Sequence, residues 1–270
     1  LARIPAGDRQ LKMSKRTDQT DQGRRAFLGA AVGTASVTLA PGVVVHAIAE
    51  TKPRAEAVSS KVRWGMLIDS NKCADGCDAC VQACDQENGI KAMAKPADHD
   101  ESAHRLQKPT WMRKVRLKDN LSGRIAALPM LCQHCEFPPC VDVCPTGASF
   151  RRADGIVMVD RHTCIGCRYC MMACPYHARS FIHQVVTDQL TRVPRGKGCV
   201  ESCNFCAHRL DNGETTTACQ DACAKDGHKA ILFGDLNDPE SLVSKALKEQ
   251  PARQIRADLQ LNTGVRYSGV

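Results

Sequence analysis

Apolar residues in this chain come in short bursts separated by polar stretches, and the spacing inside each burst predicts its form. Val62–Asp69, Met112–Lys118, Ala148–Arg152, Gly155–Asp160 and Ile231–Gly234 alternate or run apolar over a few residues, which predicts short strands. Asp238-Pro239-Glu240-Ser241 predicts the start of a helix through about Glu249, with Asp238 as cap and Pro239 at the first helical position. Residues 91–110 (KAMAKPADHDESAHRLQKPT) are polar and irregular and read as a surface insertion. Only one apolar run is long, AFLGAAVGTASVTLAPGVVVHAIA from Ala26 to Ala49. It follows a polar stretch and the pair Arg24-Arg25, and it ends with the small residues Ala47 and Ala49 that suit a signal-peptidase site. Residues 1–49 therefore read as a twin-arginine signal peptide, although Gly23 and Gly29 stand where Ser/Thr and Lys are usual. An uncleaved membrane anchor is the alternative; Pro41, His46 and the small side chains weigh against it, and no later stretch is long and apolar enough to span a bilayer. With Leu1 first and Met13 inside, residues 1–12 read as an extension upstream of the true start.

Composition narrows the picture. Of 270 residues 17 are Cys, while aromatics make up only 4%, so a large aromatic core is not what organises the chain. At 43% hydrophobic and 24% charged it lies in the globular range. The net charge of +8 shrinks on inspection. Residues 1–49 hold 7 Lys and Arg against 3 Asp and Glu, so the rest holds 30 against 26 and is only +4. That excess is small and scattered, with no basic run interleaved with aromatics, which argues against nucleic acid as a partner.

All the cysteines lie beyond residue 49, and sixteen fall into four groups. They are Cys73, Cys77, Cys80, Cys84; Cys132, Cys135, Cys140, Cys144 followed by Pro145; Cys164, Cys167, Cys170, Cys174 followed by Pro175; and Cys203, Cys206, Cys219, Cys223. The third group is an unaltered C-x2-C-x2-C-x3-C-P run, the bacterial ferredoxin pattern. Two residues between ligands let one tight loop bring three thiolates to three irons of a 4Fe-4S cube. The C-x3-C step starts a helix whose fourth thiolate points to another cluster, and the Pro after it fixes the turn. Two such runs facing each other exchange their fourth cysteines, so sixteen cysteines make four cubes, and short helices are expected after each C-x3-C step. A disulfide framework fits poorly with an odd count and so many short C-x2-C steps. Zinc suits paired C-x2-C motifs and the fourth group, but three thiolates in one loop serve a cube better. Export by the twin-arginine route, which carries folded and cofactor-loaded proteins, accommodates thiolates outside the cytoplasm.

The order of the groups, the CQHCEFPPC form of the second, the ferredoxin run of the third and ESCNFCAHRLDNGETTTACQDACAKDGHKAILFGDLNDPES around the fourth resemble the four-cluster ferredoxin-like electron-transfer subunits of membrane-associated oxidoreductases, over roughly residues 62–250. WGMLIDSNKCADGCDACVQACDQENG, LQLNTGVRYSGV and the export signal are most similar, within that family, to the periplasmic iron-sulfur subunits of Dsr-type membrane complexes of sulfur-metabolising prokaryotes. The resemblance implies crossed ligation. Cys73, Cys77, Cys80 and Cys223 would hold one cluster; Cys84, Cys203, Cys206 and Cys219 a second; Cys132, Cys135, Cys140 and Cys174 a third; Cys144, Cys164, Cys167 and Cys170 the fourth. Group one departs by placing three residues between Cys73 and Cys77, and Cys84 and Cys223 lack the following Pro. Cys199 matches no ligand position and reads as a partly buried thiol.

The expected architecture is α+β, two ferredoxin-like lobes related by an internal repeat and organised around four 4Fe-4S clusters. Residues 50–124 and 186–250 would form the first lobe, 125–185 the second, and 251–270 a C-terminal tail. No nucleophile motif, phosphate loop or dinucleotide fingerprint is present, so no catalytic residue is expected. His134, His162, His177, His208 and His228 read as surface or supporting histidines, Lys72 and Arg168 as solvated charges near ligands, and Met171 and Met172 as packing residues. The partners implied are an NrfD-type integral membrane subunit, a multihaem cytochrome c subunit and other iron-sulfur or haem subunits. The electron-transfer subunit of a molybdopterin reductase is the second reading.

Overall fold

The computed structural model describes residues 58–90, 107–121, 123–187 and 189–270, with an antiparallel strand pair at β1 (Thr38–Ala40) and β2 (Val43–Val44). The chain divides into two units, Leu1–Lys52 and Pro53–Val270. Apart from that strand pair the segment read as a signal peptide lies outside the described residues, and so do residues 91–106 of the insertion. Among the described residues no helix is long and apolar enough to cross a membrane.

In chain order the second unit runs β3 (Trp64–Asp69), α1 (Ala79–Glu87), β4 (Met112–Lys118), β5 (Ile125–Leu131), α2 (Pro139–Asp142), β6 (Ser149–Arg151), β7 (Val157–Val159), α3 (Tyr169–Met172), β8 (Arg179–Phe181), β9 (Val200–Ser202), α4 (Ala207–Asp211), α5 (Ala218–Lys225), β10 (Ile231–Asp235), α6 (Leu242–Glu249) and β11 (Val265–Ser268). The five strands expected from apolar bursts all form. Four further strands lie outside those expectations: β5, an apolar run that includes Pro129 and pairs with β4; β11, which pairs with β3; and β8 and β9, which pair with each other; the last three are only three or four residues long. The helices lie on the C-x3-C steps themselves rather than after them, because residues four apart share one helix face.

The first lobe is built on β3, whose Met66, Leu67 and Ile68 are buried, as a continuous apolar run predicts for a strand covered on both faces. It pairs antiparallel with β10 and parallel with β11. Residues 251–270, read from sequence as a tail, thus supply the third strand of the sheet. Tyr267 is fully buried, and its hydroxyl donates to Pro129 O (3.3 Å) and accepts from Gln133 Nε2 (3.0 Å). Helix α6 packs on β10 and β3. Its cap is Ser241, not Asp238: Ser241 Oγ accepts from Ser244 N at 3.2 Å and donates to Asp235 O at 2.6 Å. Asp238 instead forms the preceding turn, accepting from Glu240 N at 2.9 Å.

The second lobe has less regular structure. Within residues 125–185 lie the pair β6·β7, the two four-residue helices α2 and α3, β5, which pairs with β4, and β8, whose partner β9 comes from the 186–250 segment assigned by sequence to the first lobe. The joint between the lobes collects some of the small aromatic content. His134 stacks on Phe205 with ring centroids 3.6 Å apart, Phe205 meets Phe233 edge-on at 5.1 Å, and Phe233 stacks on Trp64 at 5.2 Å. Three of the eleven Phe, Trp and Tyr residues thus stack around this joint, while Trp111 and Tyr267 are fully buried elsewhere in the core.

Candidate iron-sulfur centres

Each lobe sets some of its cysteines on a pair of helices and the others in the loops that lead to them. In the first lobe α1 and α5 pack against one another and carry Cys80 with Cys84 and Cys219 with Cys223. Because the helices exchange ends, Cys73, Cys77, Cys80 and Cys223 line one small cavity. Cys84, Cys203, Cys206 and Cys219 line a second. Cysteines of the first and last motifs therefore line the same two cavities. In the second lobe α2 and α3 pack together, each beginning beside the third cysteine of its group. Burial raises the Cys135 thiol to about 12, with Cys140 and then Cys174 adding like charge, and Cys132 is raised by burial, Cys140 and Cys174. Cys170 is raised by burial, with Cys164 and Cys144 also contributing. These interactions link Cys132, Cys135, Cys140 and Cys174, and Cys170 with Cys144 and Cys164, while Cys170 also acts on Cys140 across the two sets. Cys167 lies on the same loop as Cys164 and Cys170 and is exposed.

The backbone repeats as the ligand spacing does. The residue just before the second cysteine of every group has a left-handed φ: Gly76 (81°), His134 (45°), Gly166 (72°) and Phe205 (53°). At Gly166 no side chain fits, since a Cβ would meet the carbonyl oxygen of Gly198 at 2.2 Å. His134 and Phe205 adopt the conformation at the strain cost of about 1–2 kcal/mol that L-residues bear there, and these two rings form the stack between the lobes. A second left-handed residue, Gly147, His177 or Lys229, follows Cys144, Cys174 and Cys223. It turns the chain so that an N–H points back at the sulfur: Ser149 N to Cys144 Sγ (3.4 Å), Ala178 N to Cys174 Sγ (3.5 Å) and Ala230 N to Cys223 Sγ (3.2 Å). Cys223 achieves this without the Pro that follows the other two. At Cys84 the donor is a side chain, Asn88 Nδ2, at 3.7 Å.

Among the described residues no three or more His, Cys, Asp or Glu are arranged to hold a single metal ion. In the first lobe the cysteines instead ring spaces in fours, an arrangement with the donor set of a polynuclear cluster. Buried thiols are also held protonated: Cys80 and Cys219 are each pushed up to about 12 and Cys206 to about 11, burial being the first cause in each. Since the thiolate is the ligand, cluster loading must displace these protons, coupling assembly to folding.

The remaining residues singled out in the sequence take varied places. His134 is buried, its Nδ1 accepting from Val157 N at 3.0 Å, and burial with the nearby Arg179 lowers it to about 3. His208 Nε2 lies 2.7 Å from Glu87 Oε1, His228 lines the Cys73 cavity, and His162 and His177 are exposed. Lys72 pairs with Asp69 at 3.4 Å. Arg168 is not simply solvated: its guanidinium lies over Phe181 at 3.9 Å. Met171 packs on the core, but Met172 is exposed, contrary to the packing role expected, because it falls on the outer face of a single helical turn. Cys199 is buried and donates to Arg161 O at 3.2 Å. Sequence reading missed Arg179, whose importance appears only when Cys132, Cys140 and Cys170 converge on it.

Residues 124–235 match the 4Fe-4S dicluster domain family. The chain is 40% identical over 239 residues to the Hdr-like menaquinol oxidoreductase iron-sulfur subunit 1 of Archaeoglobus fulgidus, covering 79% of this chain and 86% of that one. It is 34% identical to the menaquinone reductase iron-sulfur cluster-binding subunit of Nitratidesulfovibrio vulgaris (77% and 89% covered) and 35% identical to a tetrathionate reductase subunit of Salmonella typhimurium (85% and 80%). The chain belongs to the iron-sulfur electron-transfer subunits of oxidoreductase complexes. Its fold is ferredoxin-like with mixed helices and strands, its cofactors are 4Fe-4S clusters, and it serves a complex rather than acting as the catalytic subunit.

Proposed function

We propose that the chain holds four 4Fe-4S clusters on the four cysteine sets and relays electrons between a quinone-reactive NrfD-type membrane subunit and a multihaem cytochrome c or other iron-sulfur and haem subunits of a sulfur-metabolism complex of the Dsr type. The observation that carries this reading is the exchange of cysteines between paired helices, which leaves four donors around each of two cavities in the first lobe. When bound, each cluster takes up and returns one electron. The chain's own residues fix the order of sites. Helix α1 joins the Cys73 and Cys84 sets, the His134–Phe205 stack joins the loops of the Cys84 and Cys132 sets, and α2 with α3 joins the Cys132 and Cys144 sets. The two inner sets are wholly buried, which excludes water from the middle of the path. At one end Cys73 and Cys77 are half-buried; at the other Cys167 is exposed amid exposed Ile165, Tyr169 and Met172, a surface suited to a partner protein. Arg24-Arg25 and the apolar run after them support twin-arginine export to the periplasm.

A second reading, the electron-transfer subunit of a molybdopterin reductase for tetrathionate, polysulfide or thiosulfate, is favoured by the likeness to the tetrathionate reductase subunit. Anaerobic purification of the native complex separates the two. The expected result is about sixteen iron and sixteen sulfide per chain, as four clusters require, in a periplasm-facing membrane complex with c-type haem and no molybdenum. Bound zinc with little sulfide would overturn the cluster reading, and stoichiometric molybdenum would decide for the second.

A further inference from the structure

Charge is placed unevenly around the four sets. Arg179 opens β8 and is only 5% exposed, yet none of its three guanidinium nitrogens has an oxygen or nitrogen acceptor. The groups acting most on it are the thiols of Cys140 and Cys132 and, from the neighbouring set, Cys170. A guanidinium stripped of water needs compensating negative charge, and here the sulfurs are placed to supply it. The backbone repeat makes the placement specific. Ser149, Arg179 and Ile231 each follow an alanine at the turn after Cys144, Cys174 and Cys223, and only the second is charged. In the first lobe the cation lining the Cys73 cavity, Lys114, also acts on Cys80, but its ammonium donates to the carbonyls of Ala74 (2.7 Å) and Cys77 (2.5 Å). At the Cys84 set Asp85 acts on Cys84, and the cation acting on Cys206, Arg209, is itself paired with Glu87 and Asp221, which act on the same thiol with opposite sign.

We infer that Arg179 is a fixed positive charge that raises the reduction potential of the cluster held by Cys132, Cys135, Cys140 and Cys174, and to a lesser degree that of the Cys144 set, making the second lobe the electron-accepting half of the path. This rests on the four-cluster reading above. Reduction adds one electron, and with it one unit of negative charge, to the cluster facing the guanidinium; no proton or bond moves, and the positive charge favours the reduced form. Arg179 is a positioning residue, acting on the clusters through its field.

The test is a redox-poised electron paramagnetic resonance titration with dithionite as electron donor, on the full-length protein and on Arg179→Met and Arg179→Lys, with iron and sulfide counted in each. Arg179→Met is expected to keep its clusters and lower the reduction equilibrium constant of one signal at least tenfold, about 59 mV for a one-electron couple. Arg179→Lys is expected to recover most of that shift, and the first-lobe signals are expected not to move. Unchanged potentials in a fully loaded Arg179→Met chain, or equal shifts with Lys and Met, would overturn the inference. If Arg179→Met does not load, Arg179→Gln takes its place. Loading with Lys but with neither neutral residue would support a required charge, and loss of clusters with Lys as well would assign a purely structural role and overturn it. A wild-type chain lacking iron and sulfide would instead sink the four-cluster reading, so the two failures are distinguishable.

Discussion

The two lobes solve the same ligand problem with different resources. The first gathers its cysteines from residues 73 to 223 and frames them with a sheet whose outer strands, β10 and β11, come from the last forty residues; its helices run nine and eight residues. The second draws all eight from residues 132 to 174, in loops around two helices of four residues each, which hold Cys140 and Cys170, beside three-residue strands. A single helical turn and a two-stranded pair are marginal alone. The second lobe therefore leans on turns fixed by Pro145 and Pro175 and on its clusters, while the first can rely on apolar packing around β3. Local sequence suffices to deliver four thiolates when the loop is short. Across 140 residues, long-range pairing must do it.

The largest expected effect breaks that contrast directly. Cys223→Ala should abolish the cluster shared with Cys73, Cys77 and Cys80 and destabilise the first lobe while the second-lobe signals persist, and Cys174→Ala should do the reverse. Low-temperature electron paramagnetic resonance with iron counts checks this. Loss from Cys223→Ala of only the signal that Cys203 and Cys206 variants also remove would mean that the motifs ligate locally.

A smaller effect sharpens the role of the joint. Phe205→Ala removes a buried ring and should cost about 3–5 kcal/mol, but Phe205→Gly should cost about 1 kcal/mol less than that, because glycine is at ease at φ 53°. The temperature of half-loss of visible absorbance ranks the two variants. Glycine proving worse than alanine would show that the left-handed strain carries no weight.

The smallest concerns pH. Hydrogen bonding from Arg209, at 2.7 Å, helps hold the Glu87 carboxylate down at about 2 against an ordinary 4.5. A lowered carboxylate contributes stability that is full above its unfolded pKa and is lost as pH falls towards the folded one. Glu87→Gln should therefore destabilise by on the order of 1 kcal/mol at pH 7, after allowance for solvent screening, and the gap should close between about pH 4.5 and pH 2. Chemical unfolding at stepped pH measures it. A gap independent of pH would assign the effect to packing.

Much of the site was legible in the chain itself, because metal-ligand chemistry is written in spacing. The four cysteine groups, the short strands around them and the absence of a catalytic motif all follow from local sequence. Strand β11 was not legible: V-R-Y-S is too short a pattern to distinguish an outer strand of the sheet from a tail until Tyr267 is seen buried against Pro129 and Gln133. The cap of α6 misled for a related reason. Asp238 and Ser241 are both good caps by type, and the choice falls to Ser241 because its hydroxyl also reaches the end of β10.

What the sequence determined by itself is which residues are candidate cluster ligands, since most neighbouring cysteines in each group have two to four residues between them and short spacings bring thiolates to one loop whatever surrounds them. What only the tertiary structure decided is how sets close and what field they feel. The pairing of Cys223 with Cys73, the stack of His134 on Phe205 and the isolation of Arg179 among sulfurs join residues tens of positions or more apart. Such contacts depend on helix ends exchanging across a lobe and on water being excluded around a charge, and neither is encoded in any one stretch of chain.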